Sequence, residues 1–269
     1  MKICLLGDSH LAAIKAGSSG LKTTHKLDFF GSPRDSMSGL SLQDTALLPG
    51  SGSLAEMLKV TSGGQTRIEL ADYDQFILVG LGFSFTRLAR MHQRYRLFSG
   101  VSDLKHRYLI SEDCRELAMA GLFEMSLAID LAKTIRSASE APILLVPEPF
   151  RSISVLDSTE EVELWSYMSD RTDDLLTVYR TMQRRCEALL PNFRVLEQPD
   201  ETIDRVFTRS EFAEAAPRMT ANGFESYTAP DFGHMGPLYG TRVLTEVFQS
   251  LKRPGSGSRP RGRPRKSDA

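Results

Sequence analysis

Short, continuously apolar runs alternate along the chain with longer segments of helical period, and this alternation constrains the fold more than any other feature. The runs are Lys2–Gly7, Lys26–Phe30, Gln75–Leu81, Pro142–Val146 and Phe193–Leu196. Continuous apolar character is typical of strands that are covered on both faces, as in a parallel sheet. The sequence therefore predicts an α/β fold, a three-layer α/β/α sandwich with a doubly wound, mostly parallel five-stranded sheet.

Four segments with helical period separate or follow these runs. Ser111 is placed to cap one of them, and Pro237 suits the first position of the last. The predicted helices cover about Leu11–Ala16, Ser111–Ser137, Glu160–Leu190 with a break near Ser169, and Pro237–Leu251.

The residues that follow the strands are the candidates for function, because doubly wound sheets bind ligands beyond the carboxyl ends of their strands. Three of the first four strand ends carry glycine, where the backbone turns sharply or approaches something closely. These ends are Gly7-Asp8-Ser9-His10, Gly31-Ser32-Pro33, Gly80-Leu81-Gly82-Phe83 and Pro147-Glu148-Pro149.

Ser9 lies between a buried strand and a predicted helix. There its backbone N–H points outward from a helix N-terminus, an arrangement that stabilises negative charge. A serine in this position has a hydroxyl that can act as a nucleophile and an N–H that can stabilise an oxyanion. The alternative is that Ser9 only caps the helix.

Asp231 precedes His234 by three residues in a glycine- and proline-rich loop before the last helix. An aspartate so placed can bind Nδ1 and hold the imidazole, which leaves Nε2 as a general base for a serine. The alternative is a carboxylate near a helix start beside an incidental histidine.

Together, Gly7-Asp8-Ser9 and Asp231-x-x-His234 resemble the first and last signature blocks of the SGNH/GDSL hydrolases. The resemblance covers the order of elements over residues 1–251, with specific motifs only at the two ends. It implies an SGNH, flavodoxin-like sheet and a serine esterase. Ser9 would be the nucleophile, His234 the general base and then acid, and Asp231 the residue that orients the histidine. It implies neither a cofactor nor a metal.

The resemblance also implies an oxyanion hole, in which the family combines the serine N–H with a glycine N–H and an asparagine side chain. We expect Gly31 to be the glycine, with Gly39 as the alternative. Gly82 stands where the family has its asparagine, so a backbone N–H near Gly82 or Phe83 is the expected substitute.

Three further residues are expected to contact substrate beside this oxyanion hole: Asp8, His10 and Phe83. His10 stands where the family usually has leucine, and the alternative for this side chain is that it points to solvent. The basic stretch Arg87–Arg107 follows the third strand. It predicts a rim or lid that attracts an anionic substrate such as an acidic glycan, or else a solvated basic face.

The predicted function is hydrolysis of a small acyl ester, such as an acetyl ester on a carbohydrate. The alternatives are a weakly active or non-catalytic binding protein, and an acyltransferase to a carbohydrate. The sequence lacks G-x-S-x-G, H-E-x-x-H, Walker A and G-x-G-x-x-G motifs, which disfavours α/β-hydrolase, metalloprotease and nucleotide-binding classes.

The charge divides the chain into a predicted domain, residues 1–251, and a basic tail, residues 252–269. The tail holds seven basic residues and one acidic residue, which leaves 26 of the 33 basic and 33 of the 34 acidic residues in the domain. The segment Arg261-Gly262-Arg263-Pro264 is similar to an AT-hook and could bind the minor groove of DNA. A disordered tail that binds any polyanion, or nothing, is the alternative.

The chain shows no apolar run of membrane-helix length, and its N-terminal apolar stretch is too short for a signal peptide. Its three cysteines are widely spaced and suit a reducing compartment. A cytoplasmic protein that does not contact membranes is expected.

Overall fold

Five parallel strands form the central sheet in the computed structural model, which describes residues 1–97, 108–220, 222–227 and 231–251. In chain order the strands are β1 (Lys2–Gly7), β2 (Lys26–Gly31), β3 (Leu40–Gln43), β4 (Ala46–Pro49), β5 (Ile68–Glu69), β6 (Gln75–Val79), β7 (Tyr95–Leu97), β8 (Tyr108–Ile110), β9 (Ile143–Val146), β10 (Phe193–Val195), β11 (Ile203–Asp204), β12 (Phe207–Thr208), β13 (Pro217–Thr220) and β14 (Gly223–Ser226). The helices are α1 (Leu11–Ser18), α2 (Gly52–Ser62), α3 (Phe85–Arg94), α4 (Glu112–Glu124), α5 (Leu127–Arg136), α6 (Val162–Asp170), α7 (Thr172–Glu187) and α8 (Pro237–Leu251).

The central sheet has the order β10-β9-β6-β1-β2, and every pair in it is parallel. The chain goes from β1 to one neighbour, β2, and then crosses back to the other, β6. This reversal makes β1 and β6 the switch point of a doubly wound sheet, where such folds open a crevice for ligands. Ser9 is the second residue after β1.

Alternate residues of the sheet face two apolar layers. In β1, Cys4 and Leu6 join the core that contains α2 to α7, whereas Ile3 and Leu5 join the core beneath α1 and α8. Because both faces are covered, the strands are apolar throughout, as the sequence indicated. The predicted three-layer α/β fold is confirmed.

Helices α1 and α8 approach each other closely at two glycines. A side chain on Gly240 would meet the carbonyl oxygen of Ala13, and one on Gly17 would meet the backbone N of Thr241. Because α1 starts just after Ser9 and α8 starts just after His234, this contact brings the two ends of the chain together at one edge of the sheet.

Several boundaries differ from the predictions. The third predicted strand ends at Val79, because Gly80 and Leu81 both have positive φ, +72° and +54°, and turn the chain away. The helix predicted over 111–137 is two helices, α4 and α5; its predicted cap is present, with Ser111 Oγ accepting the N–H of Cys114. The break predicted near Ser169 falls at Arg171, between α6 and α7.

Some elements were not predicted at all. Helix α2 begins at Gly52, within the sequence Gly50-Ser51-Gly52 that is typical of a loop, and α3 is rich in arginine. The short β-ribbons outside the central sheet also went unpredicted. None of the helices in the described ranges has the length and apolar character needed to cross a membrane. Residues 98–107 of the predicted rim and the tail at 252–269 lie outside the described residues.

Candidate active site

Three side chains from the two ends of the chain form a continuous hydrogen-bonded row. Ser9 Oγ lies 2.8 Å from His234 Nε2, and His234 Nδ1 lies 2.8 Å from Asp231 Oδ2. With its proton on Nδ1, the imidazole donates to the carboxylate and accepts from the serine hydroxyl. This is the geometry in which a histidine can remove the hydroxyl proton.

The groups around Asp231 keep its carboxylate ionised. Its Oδ1 accepts the backbone N–H groups of Gly233 and His234, at 2.7 and 2.9 Å. Burial alone would raise the pKa of Asp231. The hydrogen bond and charge of His234, together with the two N–H groups, outweigh burial and hold that pKa well below its usual range. The carboxylate is therefore charged at neutral pH and can stabilise an imidazolium beside it.

The His234 ring stacks with two other rings. The centroid of His10 lies 4.9 Å from that of His234, at an interplanar angle of 24°, and the centroid of Tyr227 lies 4.8 Å away at 22°. Both rings are therefore close to parallel with the imidazole. Stacking restricts the imidazole to the plane in which it reaches both Ser9 and Asp231.

His10 therefore does not point to solvent, so that alternative is wrong. Its Nδ1 is buried and has no hydrogen-bond partner within the described ranges, and the residue borders the cleft, as expected for a substrate contact. Tyr227 was missed by sequence reasoning, because nothing in its local sequence distinguishes it from other aromatic residues. Burial, followed by the charge of Asp231, raises the pKa of Tyr227 to about 12, so it stays neutral.

Asp8 ties the loop after β1 to the loop after β6. Its Oδ1 accepts the N–H of His10 at 3.0 Å, and its Oδ2 accepts the N–H of Leu81 at 2.6 Å. Burial, with a further contribution from Glu148, raises the pKa of Asp8 despite the opposing effect of His10. Asp8 borders the cleft, as expected for a substrate contact, but both of its oxygens already hold the backbone around Ser9.

Two backbone N–H groups at the cleft are available to bind an oxyanion. Those of Ser9 and Gly82 donate to no other group in the described part of the chain. Gly31, by contrast, was wrongly expected to donate. Its N–H is bound to Thr61 Oγ1 at 3.0 Å, and the side chain of Met219 covers its Cα.

The other two expectations for this region also fail. Gly39 does not border the cleft, and its carbonyl accepts the N–H of Gly50. Phe83 was expected to contact substrate, but it is fully buried, with its ring 4.6 Å from that of Phe123. The N–H of Phe83 donates to the carbonyl oxygen of Gly80, so it cannot replace the missing asparagine as an oxyanion donor either. Phe83 is a core residue.

The hydrogen-bonded row opens into a cleft of about 430 Å³. Ser9, Gly82 and His234 border it together with acidic residues and four arginines, namely Arg34, Arg87, Arg90 and Arg151. The predicted basic rim therefore reaches the cleft through Arg87 and Arg90. His92 does not take part, because it is buried and its Nδ1 lies 2.6 Å from the hydroxyl of Tyr167.

A group of potential metal ligands lies beside the row. Donor atoms of Asp8, His10 and Glu148 are within 4.8 Å of one another. The carboxylate of Asp8 is already committed to two backbone N–H groups, and His10 is stacked on His234. The structure therefore assigns these two residues to holding the Ser9 loop and the imidazole.

Comparison with known proteins adds little to this geometry. No family model and no curated protein matches the chain. Among solved structures, it is similar to a "putative GDSL-like lipase" from Bacteroides ovatus, with 10% sequence identity and a TM-score of 0.37. The match covers 93% of this chain and 52% of the other, so the chain spans about half the length of that protein.

Fold and site together define a doubly wound α/β protein with a serine–histidine–aspartate row at the switch point of its sheet.

Proposed function

We propose that this chain is a serine esterase of the SGNH type, which hydrolyses a small acyl ester through an acyl-Ser9 intermediate. One observation carries the proposal: the unbroken row from Ser9 through His234 to Asp231, with both links at 2.8 Å. The cap of a helix requires neither a histidine hydrogen-bonded to the serine hydroxyl nor a carboxylate hydrogen-bonded to that histidine.

The residues act in a fixed sequence. His234 Nε2 takes the proton of Ser9 as Oγ attacks the ester carbonyl, and the ionised Asp231 stabilises the imidazolium that forms. The N–H groups of Ser9 and Gly82 bind the oxyanion. His234 then gives its proton to the departing alcohol, which leaves acyl-Ser9. A water molecule then attacks the acyl carbonyl as His234 takes its proton, and His234 returns this proton to Ser9 Oγ as the acid leaves.

Turnover is expected to be slow. Gly82 supplies a backbone N–H but no side-chain donor, and losing one oxyanion donor typically costs about 10²–10³ in turnover. The same absence of a side chain favours a second candidate, a weakly active or non-catalytic protein that binds esters or glycans. Transfer of the acyl group to a sugar hydroxyl would use the same intermediate and is a variant of the first proposal.

Hydrolysis of p-nitrophenyl acetate by the wild type, Ser9→Ala and Ser84→Ala tests the proposal. Ser84 also borders the cleft, but its side chain makes no hydrogen bond with the row, so it is the matched serine control. We expect turnover in the wild type and Ser84→Ala and none above background in Ser9→Ala. Equal rates in all three folded proteins would overturn the esterase assignment.

A further inference from the structure

Three of the four arginines at the cleft, Arg34, Arg87 and Arg151, have no partner for their charge among the described residues, and two of them, Arg87 and Arg151, also contact the loops that carry the proposed catalytic groups. Within the described ranges, the guanidinium groups of Arg87 and Arg151 make neither a hydrogen bond nor an ion pair. Arg90, which borders the same cleft, differs because its Nη2 lies 2.6 Å from Glu161 Oε2. An arginine that is not neutralised and lines a concave site attracts anions.

Two glycines beside the site leave room for the guanidinium groups of Arg87 and Arg151. The nearest atom to a Cβ placed on Gly82 is Nη1 of Arg87, at 3.3 Å, and Gly82 has a φ of +77°. The nearest atom to a Cβ placed on Gly233 is Nη1 of Arg151. Gly82 supplies a proposed oxyanion donor, and Gly233 lies between Asp231 and His234. Each guanidinium thus packs on a glycine in a loop that also carries part of the proposed catalytic machinery.

The carboxylates nearby do not cancel these charges. Asp8 is buried and holds two N–H groups, and Asp231 is bound to His234. Asp35 and Glu148 border the cleft, but neither lies within 4.0 Å of Arg87 or Arg151 in an ion pair. The two guanidinium groups are therefore free to bind an anionic group of the substrate.

We infer that the cleft selects acyl esters whose alcohol part carries a carboxylate, which Arg87 and Arg151 bind beside Ser9. The inference rests on the proposed esterase activity and adds the substrate class. The charge belongs to the alcohol part because the proposed acyl group is small. The planar guanidinium fork matches a carboxylate, and each such contact is stronger than a neutral hydrogen bond.

The test compares two acetyl esters that differ only in charge, 4-acetoxybenzoate and neutral 4-acetoxybenzamide. For each, kcat/KM is divided by the rate constant for hydrolysis by hydroxide, which removes the difference in intrinsic reactivity. We expect the wild type to favour the carboxylate about tenfold or more, and the preference to fall toward one in Arg87→Gln and in Arg151→Gln. High salt should reduce the preference as well.

Arg90→Gln is the matched control, because Arg90 borders the cleft but is paired with Glu161. It should keep the wild-type preference to within about twofold. If Arg90→Gln lost as much of the preference for the carboxylate ester as the other two variants, the preference would come only from the overall positive charge of the cleft. That result would overturn the proposed subsite. A wild-type preference near one would overturn it too, while Ser9-dependent turnover of the neutral ester would leave the esterase proposal standing.

Binding of the product, 4-hydroxybenzoate, separates the two proposals if no ester is turned over. Calorimetric titration of the wild type and both arginine variants measures binding without catalysis. Binding that weakens about tenfold in Arg87→Gln and Arg151→Gln would support the anion subsite while the esterase proposal fails. Binding that is absent, or unchanged in both variants, would overturn the subsite.

Discussion

At the scale of single residues, the site is organised around the imidazole of His234, which is fixed by four neighbours. Ser9 and Asp231 bind its two nitrogens, and the rings of His10 and Tyr227 stack with it. The first two partners were predictable, because a serine after a strand and an aspartate three residues before a histidine form a recognisable pattern. The stacking partners were not, because ring contacts depend on how distant loops fold together.

The errors at this scale have the same origin. Gly31 follows the second strand, as a donor would, but its N–H is taken by Thr61, which is distant in the sequence. Phe83 follows a glycine turn, but the turn directs it into the core. Neither long-range contact leaves a trace in the local sequence, so neither could be read from it.

Acidification is expected to abolish the esterase activity through His234. As pH falls, the imidazole gains a proton and can no longer accept one from Ser9, while the lowered pKa of Asp231 keeps that carboxylate ionised. The fall in kcat/KM should therefore follow the protonation of a single group, with no contribution from Asp231. The measurement is kcat/KM against pH, and a flat profile from about pH 5 to 8 would contradict a histidine base.

Asp231→Asn should reduce kcat by about 10³–10⁴, since the amide cannot stabilise the imidazolium or hold the required tautomer. Asp200→Asn, at an acid that does not border the cleft, is the control for removing a carboxylate. A variant of Asp231 that retained full turnover while remaining folded would show that the hydrogen-bonded row has no part in catalysis.

His10→Leu tests whether stacking positions the imidazole. Leucine keeps apolar contact at the cleft but loses the ring face, so we expect kcat to fall about three- to tenfold, with a smaller change in KM. His25→Leu is the control, since the ring of His25 also contacts an aromatic residue, Phe248, but away from the cleft. Equal effects of the two substitutions would assign His10 a merely structural role.

At the scale of elements, the packing of α1 on α8 sets the distance between the nucleophile and its base. Strand β1 and helix α8 were predicted with their observed ends, because a buried strand and a proline-initiated amphipathic helix have strong local signals. The separation of α4 from α5 was not predicted, because the apolar period continues across the break at Met125 and Ser126.

Gly240→Ala should destabilise the protein and slow the reaction. The added methyl group would meet the carbonyl of Ala13 and push α8 away from α1, at a cost of about 1–3 kcal/mol in the free energy of unfolding. Because the helices carry Ser9 and His234 at their starts, kcat should fall as well.

Gly121→Ala is the matched control for the helix substitution. Gly121 lies in α4 with open space around its Cα, so alanine there should stabilise the helix by about 0.5–1 kcal/mol. Urea unfolding and turnover are measured for both variants. If Gly240→Ala matched Gly121→Ala in both properties, the close contact of α1 and α8 would have no role in aligning the site.

At the scale of the whole molecule, the topology of the sheet explains where the site lies. The reversal between β2 and β6 opens the switch point beside β1, and Ser9 is the second residue after that strand. The fold class and this position followed from the pattern of apolar runs. Arg87 and Arg90 were expected in a basic rim after the third strand, but Arg34 and Arg151 were not, since they come from two other segments and share no motif.

The basic tail is proposed to act apart from the domain. A chain that ends at Leu251 should keep wild-type kcat/KM on p-nitrophenyl acetate. The full chain should bind A·T-rich duplex DNA in a salt-dependent way, and this binding should vanish on truncation and weaken in Arg261→Ala/Arg263→Ala. Gel-shift assays at several salt concentrations measure it. DNA binding that survives truncation would place the contact in the domain and refute the role proposed for the tail.

The most direct test of the central claim, that Ser9 is a nucleophile activated by His234, is covalent labelling by a fluorophosphonate. Intact mass is recorded for the wild type, Ser9→Ala, His234→Ala and the control Ser84→Ala. We predict one adduct in the wild type and in Ser84→Ala, mapped by peptide mass spectrometry to Ser9, and almost none in the other two variants. A folded wild-type protein that forms no adduct, or an adduct that persists in Ser9→Ala, would contradict the claim.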